Sequence, residues 1–304
     1  MKREAVKSLG KRTLVQEILR SWQSYLFIAP LVIFFLLLNS GAMIASFAMS
    51  FTKWSPGGVP EWLGLTNYIR LFQDELFWIA LRNTAMYSAI VIGIGLPLAL
   101  IMALALDAGI PFRGYFLVSF YMPAVVSTVV MVVLWRWMLH PRFGMVNNFL
   151  GLFGVPPQYF LGDPNLALPT VATMALWGFG PNMVLFLAGL QGIPRELHEA
   201  AMIDGANAWN RFWQVTMPLL RPTILFIMIL STVGALQVFE QVQLLPTPGG
   251  PLNSTTTATF YIWQQAFRYV GRMGYASAAA FVLGTIVILL TFIQQRAVGT
   301  EEVY

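Results

Sequence analysis

Cysteine is absent from the 304 residues and only 2 are histidine, so disulfides and thiolate metal sites are excluded. Neither His140 nor His198 has a carboxylate partner at metal-ligand spacing. Charge is also scarce. Asp, Glu, Lys and Arg make up 10% of the chain, where soluble globular proteins carry about a quarter, so most of this surface is solvated by something other than water. No phosphate-cradling Gly-x-x-x-x-Gly-Lys-Ser/Thr loop occurs: Gly10-Lys11 is followed by Arg12 and lacks the preceding glycine, so ATP is not expected to bind here. There is no internal repeat, no mid-membrane ionisable relay and no clustered His, Asp or Glu near an interface. Those absences weigh against a self-sufficient secondary carrier and against an integral-membrane enzyme.

What is abundant is apolar: 57% of residues are hydrophobic, with 23 Phe and 10 Trp. Six uncharged runs, Ser24–Thr52, Asn83–Leu106, Gly114–Trp135, Pro164–Pro194, Pro222–Phe239 and Met273–Gln295, approach or exceed the roughly 20 residues a helix needs to cross a bilayer. The fifth enters from about Pro218 and extends past Glu240. The first run is too long for the core of a cleavable signal and reads as a retained span. Pro97, Pro123 and Pro181 are candidate kinks. The net charge of +5 flanks these runs, which is a membrane pattern and argues against nucleic acid as a partner. With both termini inside, eleven of the 18 Lys and Arg are cytoplasmic, six of them in residues 1–23. That bias sets the orientation. The expected fold is all-α integral membrane, with a basic tail over 1–23, a six-helix domain over 24–297 and a C-terminal tail over 298–304. The stretches 54–82, 139–163 and 246–271 are expected outside, the last as a Gly-Gly-Pro turn followed by Ser254-Thr255-Thr256-Thr257.

The loop between the fourth and fifth runs, about 195–217, is too polar to cross. Arg195 to Asp204 has helical amphipathic spacing, with Leu197, Ala200, Ala201 and Ile203 able to share a face and Glu196, Glu199 and Asp204 wet. Gly205 stands where a left-handed cap suits glycine. A second short helix, about Ala206 to Val215, presents Trp209, Phe212 and Trp213. Two readings remain open from the residues alone: a plug for a groove on another protein, or a hairpin lying on lipid.

Polar groups inside the runs are the other clue, because hydrocarbon tolerates them only towards a bundle interior or a wet cavity. Ser231, Gln237, Glu240 and Gln241 stand out in the fifth run. Gln237 and Gln241 are one helical turn apart and offer both donors and acceptors to a hydroxyl-rich ligand. In the fourth run, Trp177-Gly178-Phe179-Gly180-Pro181-Asn182 combines an opened or bent helix with flat apolar faces on which sugars stack. The bland alternatives are interhelical hydrogen bonding and a packed kink.

The motif Glu199-Ala200-Ala201, Asp204-Gly205-Ala206 and Pro218-Leu219-Leu220 resembles the cytoplasmic loop of membrane subunits of binding-protein-dependent ATP-binding cassette (ABC) importers, in the Asp-Gly-Ala form of carbohydrate permeases of the maltose and glycerol-phosphate type. The resemblance covers about residues 24–297. It implies that 199–206 form a coupling helix seated on an ATPase, and that Trp177, Phe179, Asn182, Ser231, Gln237, Glu240 and Gln241 border the translocation path. Departures occur at Asn182, Ala235 and Val238. It further implies a homologous second permease, an ATPase dimer that binds ATP and Mg, an extracytoplasmic solute-binding protein and a multi-pass place in a bacterial or archaeal inner membrane. The chain itself would hold no cofactor and catalyse nothing. The expected cargo is a di- or oligosaccharide, with glycerol-phosphate-type esters as the alternative.

Overall fold

The computed structural model describes residues 22–298, and the tails expected over 1–23 and 298–304 lie almost wholly outside them. The first apolar run becomes α1 (Trp22–Phe34), a π-helical turn over Phe35–Gly41 and α2 (Ala42–Met49). None of its apolar window is buried within the chain, so it is solvated by lipid or by another subunit. A two-stranded hairpin, Thr52–Lys53 against Glu61–Trp62, leads to α3 (Thr66–Gln73). The long α4 (Glu75–Asp107) begins at Asp74, whose carboxylate accepts the Leu76 amide at 2.9 Å as an N-cap, and it continues through Pro97.

The third run is not one rod. α5 (Arg113–Val125) and α6 (Thr128–Met138) meet at 100°. Val126 turns extended at ψ 133°, and Ser127 caps α6. The break thus falls after the Pro123 kink position, where backbone geometry and a hydroxyl cap coincide. α7 (Met145–Gly151) follows. The fourth run divides into α8 (Pro164–Leu176) and α9 (Gly180–Gln191), bent by 47°. After the loop come α10 (Arg195–Ile203), α11 (Ala208–Arg211), a π turn over Phe212–Thr216 and α12 (Met217–Leu236). α13 (Glu240–Gln243), α14 (Ala258–Trp263) with a π turn over Gln264–Arg268, and α15 (Met273–Val298) complete the described chain. Four stretches qualify as continuous spans and the two bent pairs raise the number to as many as six.

α4 is the central post, packed along α8, α9 and α12. Ala99 and Ala103, four residues apart, form a small stripe that lets Met183, Phe186 and Leu190 of α9 and Leu220 and Ile227 of α12 close on it. Dispersion and shape, rather than expulsion of water, hold such a contact in lipid. At the other end of the bundle Gly274 lies directly against the Thr52 carbonyl oxygen, so α15 meets the end of the first span backbone to backbone.

The stretch 246–271, expected as an outer loop, is packed into the bundle and includes α14. Thr255, Thr256 and Thr257 are fully buried, as are Phe260 and Tyr261 of α14. Asn83 of α4 donates to the carbonyls of Asn253 (2.9 Å) and Thr256 (3.1 Å), Thr84 Oγ1 accepts the Ala258 amide at 2.8 Å, and Thr257 Oγ1 donates to Val238 O at 2.8 Å. Irregular backbone is tolerated inside a bundle when side chains satisfy it in this way. Asn83→Leu should therefore remove a bond from each carbonyl, leaving Asn253 O with the Thr256 amide alone, and lower stability by about 2 kcal/mol. A lower thermal midpoint of the detergent-purified complex checks this.

Candidate functional site

Two features stand apart from the packed bundle. The first is the loop after α9. Pro194 supplies an extended N-cap, and Glu196 in the first turn suits the positive end of the helix dipole. At the other end Gly205 has φ +83°, its amide donates to Met202 O at 3.0 Å, and the Ala206 amide donates to Ala201 O at 2.9 Å. Those two bonds form a Schellman cap, which needs a left-handed residue at the position Gly205 occupies. Asn207 then caps the next helix by accepting the Asn210 amide at 2.8 Å.

No residue of α10 is buried, and Ile203 is 86% exposed. Glu199 and Ala200 are exposed as well, while Ala201 and Ala206 are half-buried. Trp209, Phe212 and Trp213 cluster beside it with ring centroids 5.1–6.3 Å apart, and both indoles remain largely open. The second short helix anticipated at about Ala206 to Val215 is not separate. From Ala208 it runs through the π turn into α12, so any force on this loop acts on the fifth span directly. The wider π turn accommodates the approach to Pro218, which has no amide to offer the ladder.

The second feature lies where α12 stops. Gln237 ends the helix, Phe239 sits at φ −139°, ψ −58°, and α13 starts at Glu240. The continuous helical face expected for Gln237 and Gln241 is therefore interrupted. Even so, Gln237, Glu240 and Gln241 line one cavity of about 360 Å³ with Gly234 and Tyr87. Tyr87, from α4, was not anticipated, and a lone tyrosine in an apolar run is the only signal it leaves. Asn182 and Ser231 bond each other across α9 and α12 at 3.2 Å. Trp177 meets Trp135 edge-on at 5.8 Å, and Phe179 packs on Phe120 at 5.7 Å beside the α4–α9 core. The seven anticipated path residues thus separate into a cavity trio, a helix-bridging pair and two packed aromatics. Ala235 and Val238 are buried in the bundle.

His140 stacks on Phe143 with centroids 3.6 Å apart, at a second cavity of about 550 Å³ that also includes Arg136, Trp137 and Tyr159. Among the described residues no group of three His, Cys, Asp or Glu is placed to hold a metal ion.

Residues 95–298 match the family described as binding-protein-dependent transport system inner membrane components, a stretch that holds both features. This chain belongs to that family. The permease is 35% identical over 273 residues to the probable ABC transporter permease YesP of Bacillus subtilis, covering 88% of each chain. It is 34% identical over 275 residues to the lactose transport system permease LacF of Rhizobium radiobacter, covering 89% of this chain and 92% of that one. The crystal structure of a bacterial alginate ABC transporter in complex with an alginate pentasaccharide-bound periplasmic protein contains a chain 27% identical, with a TM-score of 0.81, over 93% of this chain and 96% of that one. The permease is accordingly a multi-pass inner-membrane transport subunit and not an enzyme, and nothing in these likenesses supports a self-sufficient secondary carrier.

Proposed function

We propose that this permease forms half of the translocation path of an ATP-driven sugar importer, a di- or oligosaccharide being its cargo, with the loop 195–217 as its coupling element. The observation that carries the reading is α10: a capped helix with no residue buried in its own chain, followed across the Gly205 turn by α11, which runs without a break into the fifth span. A helix that costs apolar exposure is maintained where a partner covers it. The partner is an ATPase dimer that binds ATP and Mg. A homologous second permease forms the rest of the path, and an extracytoplasmic solute-binding protein delivers the sugar. The lactose permease and the alginate complex with its periplasmic protein support that cargo class and that delivery. Six spans, both tails in the cytoplasm and an uninterrupted domain over 24–297 belong to the same reading.

Coupling requires that the ATPase contact at α10 differ in free energy between the inward- and outward-facing states; equal contact in both would shift nothing. The trio Gln237, Glu240 and Gln241 then offers amides and a carboxylate to passing hydroxyls in the wet gap where the fifth span breaks. Gln237→Ala together with Gln241→Ala removes up to two hydrogen bonds. Maximal uptake should fall about tenfold while sugar binding to the external protein stays unchanged. Radiolabelled uptake beside calorimetry of that protein separates the two.

The test of the whole reading is ATPase activity of the co-purified complex in lipid nanodiscs, with the loaded binding protein and a panel of disaccharides, uronic oligosaccharides and glycerol phosphates. Stimulation by a sugar is expected. Stimulation by glycerol phosphates alone would move the cargo class, and transport by the chain without any ATPase would overturn the proposal.

A further inference from the structure

Away from the path, the first and last spans end around a cavity of about 410 Å³ that the transport reading does not use. Its walls bring together Lys53 from the hairpin, Arg70 from α3 and Arg272 from the turn before α15, with Asn67 and Tyr275 between them. Among the described residues one carboxylate, Asp74, shares the cavity. It is already engaged: Oδ2 accepts the hydroxyls of Tyr261 at 2.6 Å and Tyr275 at 3.0 Å, and Oδ1 accepts the Leu76 amide at 2.9 Å. Arg272 is held by neutral partners, the Gln265 amide oxygen at 3.0 Å and the face of Tyr269 at 4.9 Å. Three cations therefore converge on a space with room for a phosphodiester and its waters, and the one carboxylate is tied up by phenols.

The surroundings decide which anion fits. The first span leaves its whole apolar window uncovered by its own chain, a surface that lipid can solvate, and the Gln237–Gln241 cavity is lined by a different set of residues. Trp62, Leu65, Ile69, Phe72 and Trp78, on the hairpin, α3 and the start of α4, are all about half exposed or more. Amphipathic aromatics beside span ends mark headgroup depth. A basic pocket at that depth, with an apolar rim, suits a phosphate whose acyl chains lie along the span.

We propose that this cavity binds the phosphate of an anionic phospholipid, with phosphatidylglycerol as the probe. The site does not depend on which face of the membrane this end occupies, nor on the cargo. The test uses the whole complex in mild detergent, titrated with phosphatidylglycerol or phosphatidylcholine, with retained lipid counted by native mass spectrometry. Wild type should retain phosphatidylglycerol at about tenfold lower lipid concentration than phosphatidylcholine. The Lys53→Gln, Arg70→Gln double variant, which leaves the Arg272–Gln265 bond in place, should abolish that preference without changing phosphatidylcholine retention. Lys53→Gln alone should reduce it about threefold. Equal retention of the two lipids by wild type would overturn the proposal, as would an unchanged preference in the double variant. Displacement of the lipid by an equal concentration of glycerol 3-phosphate would mark a site for soluble phosphate. An unchanged preference with lost stimulation by the binding protein would assign these cations to protein docking. Either result sinks the lipid assignment.

Discussion

Gly205→Pro should abolish uptake, by about a hundredfold or more, while the permease remains inserted at wild-type abundance. Proline holds φ near −65°, whereas this position has φ +83° and donates its amide to Met202 O. The substitution removes both features at once, so α10 and α11 can no longer keep their relative direction. Among the described residues nothing lies within 4 Å of where a Cβ would sit, so overpacking inside the bundle contributes nothing. Gly205→Ala, which can enter the left-handed region at about 1 kcal/mol, should retain most uptake. Glu199→Lys reverses a charge on a helix with no buried residue and should also leave insertion intact while uncoupling transport. The readouts are sugar uptake, immunoblotting of membranes and ATPase stimulation by the loaded binding protein. Wild-type uptake by Gly205→Pro and Glu199→Lys would remove α10 from the coupling mechanism.

Much of that loop was legible because its signals are local. Helical spacing over Arg195 to Asp204, followed by glycine, is a complete instruction for a capped helix, and α10 ends within one residue of the expectation. The bend at Trp177–Phe179 was likewise readable from Gly178, Gly180 and Pro181. Long-range packing left weaker traces. Ser254-Thr255-Thr256-Thr257 reads as a polar loop until the Thr256 carbonyl is matched with Asn83 and the Ala258 amide with Thr84, 173 and 174 positions away. Backbone groups of the loop are then satisfied from α4, and Thr257 Oγ1 donates to Val238 O, which lets the stretch be buried although Ser254 Oγ and Thr255 Oγ1 find no partner. The break at Gln237–Phe239 has no proline or glycine at its centre, and the Val-Phe pair carries no stop signal. The path trio was named from its chemistry, although its expected helical register was interrupted. Tyr87 entered the cavity through tertiary structure alone.

Asp74→Ala should cause the largest loss of stability of any single change at the α3–α4–α14–α15 junction, about 3 kcal/mol. The carboxylate has three simultaneous duties: it caps α4 through the Leu76 amide, and it accepts hydroxyls from Tyr261 on α14 and Tyr275 on α15. A lost cap accounts for about 1 kcal/mol, and hydrogen bonds to a charged acceptor for about 1.5 kcal/mol or more each before solvent screening at this partly open site. Tyr261 is fully buried, with Phe77 against its ring at 5.8 Å, so when the acceptor is removed its hydroxyl keeps only the Tyr275 hydroxyl, at 2.9 Å, as a partner. Burial raises the Tyr261 phenol well above its ordinary range, reinforced by the bonds to Asp74 and Tyr275, so it remains a donor across the working pH range. Asp74→Asn retains an acceptor oxygen for the phenols and should recover about half of the loss. The measurement is the thermal midpoint of the purified complex together with the fraction that elutes as a single species. If Asp74→Ala matched wild type in both, the phenol–carboxylate junction would be incidental to the fold, and α14 would be held in the bundle by Asn83, Thr84 and the buried threonines alone.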